Sequence, residues 1–184
     1  MNYADIKYCD VANGEGVRVS LFVSGCTHHC KECFNKEAWD FHYGNPFTQK
    51  EIDRILEYLK PNYIAGLSLL GGEPMEPVNQ EGILPLLRAV KQTYPEKNIW
   101  CYTGYLFDKD VLDKMCKESE VTKEIVSYLD IVVDGEFMID RKNLKINFRG
   151  SDNQRIIDVK KTLDAGEIVH WEREIQINNE EENE

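Results

Sequence analysis

The sequence predicts an α/β fold built on a mainly parallel sheet of about five or six strands. Three observations predict it. Short β-branched or apolar runs alternate with stretches of helical periodicity. Gly66 to Leu70 is apolar on both faces, as a parallel strand covered by helices is. The cysteine loop and the Gly-Gly-Glu-Pro, Thr-Gly and Asp-Gly segments follow the strands, at the carboxyl edge where parallel βα folds bind ligands.

The first strand is Val17 to Val23, with Arg18 and Ser20 at alternate positions. It is entered from Asn13-Gly14-Glu15-Gly16, which superficially resembles a phosphate loop. That loop precedes a strand rather than opening a helix, so a dinucleotide fingerprint is excluded, and the loop is expected to line the mouth of the site. Thr48 caps a helix with Glu51 as its capping-box partner; Ile52, Ile55, Leu56 and Leu59 form the buried stripe, and Pro61 ends it. The second strand, Gly66 to Leu70, ends in Gly71-Gly72-Glu73-Pro74. Ile83 to Tyr94 reads as a helix on Leu84, Leu87 and Val90, with Pro85 in its first turn. Ile99 to Tyr102 is the third strand and leads into Thr103-Gly104. Asp108 is expected to cap a helix over Lys109 to Ser119, and the helical pattern continues through Ile125 to Leu129. The fourth strand, Ile131 to Val133, is closed by Asp134-Gly135. Arg155 to Val159 and Ile168 to Trp171 are expected as two more short strands around a turn at Lys160 to Gly166. The cysteine loop, the Gly-Gly-Glu-Pro segment, Thr103-Gly104 and Asp134-Gly135 should therefore converge on one site.

Composition bounds the function. The 184 residues suit a single domain over 1–177, with 178–184 as an acidic, disordered tail, and fall short of a closed eight-stranded βα barrel of about 250 residues. A net charge of −11 argues against non-specific nucleic-acid binding and against an anionic membrane surface. Six glutamates against the lone Arg173 place −5 of that charge in residues 172–184. Met1 to Asp10 is mixed and polar, unlike a secretory signal, and no run approaches the ~20 apolar residues of a membrane span; a cytoplasmic location is expected. In that setting six cysteines point to metal or catalysis rather than to a disulfide scaffold.

Three of the six lie in Cys26-Thr-His-His-Cys30-Lys-Glu-Cys33, a C-x₃-C-x₂-C loop directly after the first strand. Thiolates favour zinc, copper(I) or iron–sulfur clusters. Three thiolates on a cubic [4Fe–4S] cluster leave one iron without a protein ligand, and a small molecule can bind there. The alternative is a closed Cys₃His zinc knuckle using His28 or His29. Cys9, Cys101 and Cys116 are scattered and read as packing thiols, while His42 and His170 have no partner pattern.

The cysteine loop after the first strand, with Gly-Gly-Glu-Pro after the second, resembles the radical S-adenosylmethionine enzymes. Val11 to Arg18, Leu21 to Cys26, Trp100 to Tyr105, Val133 to Phe137 and Phe148 to Arg155 are together similar to a branch of that superfamily, the activating enzymes of anaerobic ribonucleoside-triphosphate reductases. The likeness spans residues 1–171 and leaves out the acidic tail.

The resemblance implies one [4Fe–4S] cluster on Cys26, Cys30 and Cys33, the residues through which catalysis runs. It implies S-adenosylmethionine bound at the open iron and cleaved reductively, and a glycyl radical generated on the reductase, the protein substrate. A cellular electron donor is needed; nucleic acid and membrane are not. Around the S-adenosylmethionine the resemblance places Glu32, Cys33, Phe34, Gly71, Gly72, Glu73 and Asp134. Gly71 and Gly72 would let backbone approach the ligand, with Glu73 adding charge to the contact with the methionyl ammonium. Phe34 would cover the adenine or the cluster, and Asp134 would touch the ribose or methionyl group, or else serve only as a turn residue. Arg149 and Arg155 would bind a carboxylate or the partner, or form surface salt bridges. A macromolecular substrate also gives the short chain a meaning: an open partial βα barrel of radical S-adenosylmethionine type, whose missing side admits a glycine-bearing loop. The nearer alternative is an activase of another glycyl-radical enzyme; the farther is a non-enzymatic zinc or electron-transfer module.

Overall fold

A computed structural model describes residues 1–172; the acidic tail at 178–184 lies outside the described residues. Seven strands form one sheet: β1 (Asn2–Asp10), β2 (Val17–Val23), β3 (Asn45–Pro46), β4 (Ile64–Gly71), β5 (Asn98–Tyr102), β6 (Ile131–Asp134) and β7 (Arg155–Asp158). Their order across the sheet is β3-β1-β2-β4-β5-β6-β7. β2, β4, β5 and β6 run parallel in the middle; β1 and β7 flank them antiparallel, and β3 pairs antiparallel with β1. The α/β class is as expected, but the sheet is mixed and larger than about five or six strands. β1 escapes sequence reading because it is an outer strand of which only Tyr3 and Asp10 are buried, so its residues mix polar and apolar types without a buried run.

Helix α1 (Gln49–Leu59) carries the expected capping box, and Ile52, Ile55 and Leu59 are buried. Helix α2 (Pro77–Thr93) starts earlier than expected: Pro77 takes the first-turn place, and Pro85 sits inside the helix on its exposed side. The next helix opens at Phe107 as a π-helix to Met115 and runs into α3 (Cys116–Glu118). Asp108 does not cap it. Asp110 accepts the Leu106 N–H at 3.0 Å, and Asp108 instead pairs with Arg155 at 2.8 Å. Ser119 caps α4 (Glu120–Tyr128) through the Thr122 N–H. The expected turn at Lys160 to Gly166 is helix α5 (Val159–Ala165), capped by Asp158 and closed by left-handed Gly166. Seven residues are too few for a periodic pattern to stand out. Ile168 to Trp171 contributes a single bridge, Ile157 to His170, rather than a strand.

The main core fills the helix-covered face, where Val19, Leu21, Val23, Leu67, Leu69, Ile99, Cys101, Val132 and Ile157 meet residues of α1, α2 and α4. Cys101 is therefore a packing thiol, as read from sequence. The opposite face carries Trp100, Ile131 and Val133; Phe148 and Trp171 each pack edge-on against Trp100 at 5.3 Å. Arg18 is fully buried beside them and donates to Ser68, Asn98, Glu15 O and Leu67 O. Ser68 also donates to Asn13 O. The Asn13 to Gly16 loop therefore closes the amino-terminal end of the parallel strands, opposite the cysteine loop, and does not line its mouth. Segments entering and leaving a parallel strand lie at opposite edges of the sheet. Among the described residues no helix is long and apolar enough to cross a membrane.

Candidate functional site

The cysteine loop begins one residue past a tight strand end. Gly25, at φ +97°, donates its N–H to Ala38 O at 2.8 Å, and any Cβ there would strike the Phe41 ring. Cys26 donates to Trp39 O at 3.2 Å, so the loop is pinned to the short 3₁₀ turn Lys36–Trp39. Beyond it the chain passes through left-handed backbone at His29 (φ +50°) and Glu32 (φ +58°), with a turn from Cys30 O to Cys33 N at 3.1 Å. Cys26 is buried, Cys30 and Cys33 are half-buried, and all three thiols are free. Burial pushes the Cys26 thiol up to about 11, against backbone N–H groups of His28 and His29 that bond its sulfur. Burial likewise raises the Cys30 thiol, whose sulfur takes the Phe137 N–H.

This donor set fits an iron–sulfur cluster. Soft sulfur ligands with backbone N–H groups already aimed at them suit bound thiolate, and a coordinated metal reverses the effect of burial by deprotonating the thiol outright. It fits a zinc knuckle poorly. Both His28 nitrogens face carboxylates, and His29 packs on the Trp39 ring at 4.6 Å.

The four strand-end segments do converge. Glu73, only 1% exposed, accepts from Met75 N at 2.8 Å and from Gly104 N at 2.7 Å, and lies 3.1 Å from His28 Nε2. Glu136, two residues past β6, lies 3.0 Å from His28 Nδ1. The cysteine loop, the turn after β4, the loop after β5 and the loop after β6 thus meet at one imidazole. Glu76 adds a second tie, accepting the Thr27 N–H at 3.0 Å, the Thr27 hydroxyl, and the Tyr105 hydroxyl at 3.4 Å. Sequence reasoning missed Glu76. Its signal was a second acid just before Pro77, at the N-cap of α2.

Comparison with known proteins agrees with this geometry. A family model described as a 4Fe-4S single cluster domain matches residues 12–157. Anaerobic ribonucleoside-triphosphate reductase-activating proteins are similar over most of their length. That of Pasteurella multocida is 40% identical over 85% of this chain and 96% of its own, and that of enterobacteria phage T4 is 43% identical over 85% and 93%. That of Escherichia coli K12 is 38% identical over 84% and 96%. The chain belongs to the family of anaerobic ribonucleoside-triphosphate reductase-activating proteins. Its 4Fe-4S domain supports an iron–sulfur cluster as cofactor. The matched span contains Cys26, Cys30 and Cys33 and excludes Cys9.

The other residues singled out from sequence are placed unequally in this family member. Gly71 (φ +111°) and Gly72 sit at the turn, where a Cβ would lie 2.6 Å from Val23 O and 2.5 Å from Gly25 O respectively. Their small size is thus demanded by the chain's own backbone. Asp134 is buried at the end of β6, accepting from Arg155 Nε at 2.9 Å and Phe107 N at 2.8 Å. Arg155 therefore finds its carboxylates within the chain, and Arg149 donates to Gln154 O at 3.1 Å. Phe34 is 91% exposed, and Glu32 is exposed with its carboxylate 3.9 Å from Lys36. A cleft of about 400 Å³, lined by Glu15, Asn98, Trp100, Asp130 and Trp171 among others, opens at the amino-terminal strand ends, away from this chemistry.

Proposed function

We propose that the protein is the activating enzyme of an anaerobic ribonucleoside-triphosphate reductase, an oxidoreductase of the radical S-adenosylmethionine class. The observation that carries this is about 40% identity across nearly the whole length of relatives bearing that name. Cys26, Cys30 and Cys33 would hold a [4Fe–4S] cluster with one open iron. When bound, that cluster supplies the electron for reductive cleavage of S-adenosylmethionine, which leads to a glycyl radical on the reductase.

The chain's own part is ligation, orientation and exclusion of water. The N–H groups of His28, His29 and Phe137 stabilise thiolate at Cys26 and Cys30. Carbonyls of Gly71 and Gly72 would accept from a methionyl ammonium, with the buried Glu73 carboxyl behind them. Phe34 and Glu32, exposed beside Cys33, are the rim that closes over S-adenosylmethionine. Asp134 has both oxygens engaged, which supports a role in fixing Arg155 and the start of the Phe107 helix rather than in ribose contact. Helices on one face of the sheet and an irregular 135–154 segment over part of the other support an open partial barrel. A cytoplasmic setting with a cellular reductant completes the reading.

The test is anaerobic reconstitution. The protein should become brown with about four irons per chain. Mixed with reductant, S-adenosylmethionine and the reductase, it should give a glycyl-radical signal in electron paramagnetic resonance. A colourless protein holding one zinc would remove the reading, and a radical formed only on another glycyl-radical enzyme would change the target.

A further inference from the structure

We infer that His28 is a positioning residue for the cysteine loop: its imidazole latches the loop between Glu73 and Glu136 and thereby sets where Cys26 and Cys30 stand before iron arrives. The inference rests on the proposed function only in taking those thiols as ligands.

The geometry is specific. His28 stands midway between Cys26 and Cys30, with its side chain 10% exposed. Its Nε2 lies 3.1 Å from Glu73 and its Nδ1 3.0 Å from Glu136, so the loop is tied at once to the segments after β4 and β6. The ring packs edge-on against Tyr105 at 4.4 Å, and the space it fills is kept open by Gly104, whose Cβ would fall 2.6 Å from it.

One end of the latch bears on sulfur, and a separate tie through Glu76 holds the residue after Cys26. Glu136 adjoins Phe137, whose N–H bonds the Cys30 sulfur, so one dipeptide holds both His28 and Cys30. On the other side Thr27, directly after Cys26, is held by Glu76. Left-handed backbone at His29 and Glu32, sparsely populated by residues other than glycine, marks the loop around His28 as held in one specific conformation. A flat ring with a nitrogen on each side spans the two carboxylates, a task that phenylalanine cannot perform and that glutamine performs from one side at a time. Groups that orient metal ligands in this manner matter nearly as much as the ligands themselves.

The experiment compares wild type with His28→Phe, His28→Gln and Glu136→Ala, apo and reconstituted, in the full chain. In the apo protein, iodoacetamide should modify Cys26 at least about tenfold faster in His28→Phe than in wild type, because the loop opens locally. Glu136→Ala removes one half-exposed arm and should move the rate in the same direction. After reconstitution, His28→Phe should lose iron to a ferrous chelator about 10–100-fold faster, with His28→Gln recovering part of the loss. The Glu136→Ala effect should vanish in a His28→Phe background, since a latch broken at one end cannot break again. Equal Cys26 modification rates in the apo proteins, or additive effects of the two substitutions, would overturn the inference. A wild-type protein that takes up no cluster would sink the functional reading instead, while the apo comparison still decides the latch.

Discussion

At residue 72 a methyl group has nowhere to go. Its carbon would sit 2.5 Å from Gly25 O and 2.8 Å from Ala38 O, backbone atoms that the Gly25 and Glu73 N–H bonds hold in place. Gly72→Ala should therefore force the turn after β4 away from the cysteine loop, costing about 1–3 kcal/mol as overpacking does. Gly166 is the contrast. It is left-handed at φ +72° with nothing within 4 Å of its Cβ position, so Gly166→Ala should cost only the conformational penalty of about 1–2 kcal/mol. Urea melts measure both, and iron retention separates them further: only Gly72→Ala should lower it. The sequence announces that Gly71 and Gly72 must be small, but not what crowds them, because a ligand and the chain's own carbonyl leave the same mark on composition. The same limit applies to Asp134. Its place at a strand end is legible, whereas its partner, Arg155, is 21 residues away and visible only once β6 and β7 pair.

Between elements, legibility follows burial. β2, β4, β5 and β6 carry dense apolar runs because helices cover them, and α1 announces itself by its cap and stripe. β1 and α5 do neither; one is a largely exposed outer strand and the other is two turns long. What fastens α5 to the sheet is a charge cluster invisible to periodicity. Asp130 accepts the Ile99 N–H of β5 at 2.9 Å, and lies 3.0 Å from Lys91 of α2 and 2.9 Å from Lys160 of α5. Burial alone would raise this carboxyl, but Lys160, the Ile99 N–H and Lys91 outweigh it and hold it below its ordinary 3.8. A carboxyl lowered by folding contributes stability that is present above its unfolded value and is lost as pH falls through the folded one. Asp130→Asn should therefore lower stability by about 2 kcal/mol at neutral pH, where bonds to the charged form are lost. The gap from wild type should shrink once the pH drops below 3.8. Thermal melts across that range check it, and a constant gap would show that Asp130 does not titrate with folding.

For the molecule as a whole, the parallel order of β2, β4, β5 and β6 matters more than any single contact, because it sends four successive carboxyl ends to one edge. That is why convergence of the cysteine loop, the Gly71 to Pro74 turn, Thr103-Gly104 and Asp134-Gly135 could be anticipated from the chain order alone, although His28 as the meeting point and Glu136 as its partner could not. The same logic divides the six cysteines. Cys26, Cys30 and Cys33 follow a strand at that edge; Cys101 lies within β5 facing the helices, Cys116 begins α3, and Cys9 is exposed near the end of the outer strand β1. Location, not thiol chemistry, should then decide the effect of removing each sulfur. Cys30→Ala should lose the cluster and, with it, S-adenosylmethionine cleavage, while the folded chain persists because a half-buried thiol contributes little packing. Cys101→Ala should show the reverse: iron content and cleavage as in wild type, and a stability loss of about 1 kcal/mol from the small void left in the core. Iron analysis, methionine release and a denaturant melt on the two variants measure the division directly. Full iron content in Cys30→Ala, or its loss in Cys101→Ala, would mean that the carboxyl edge is not where the metal sits.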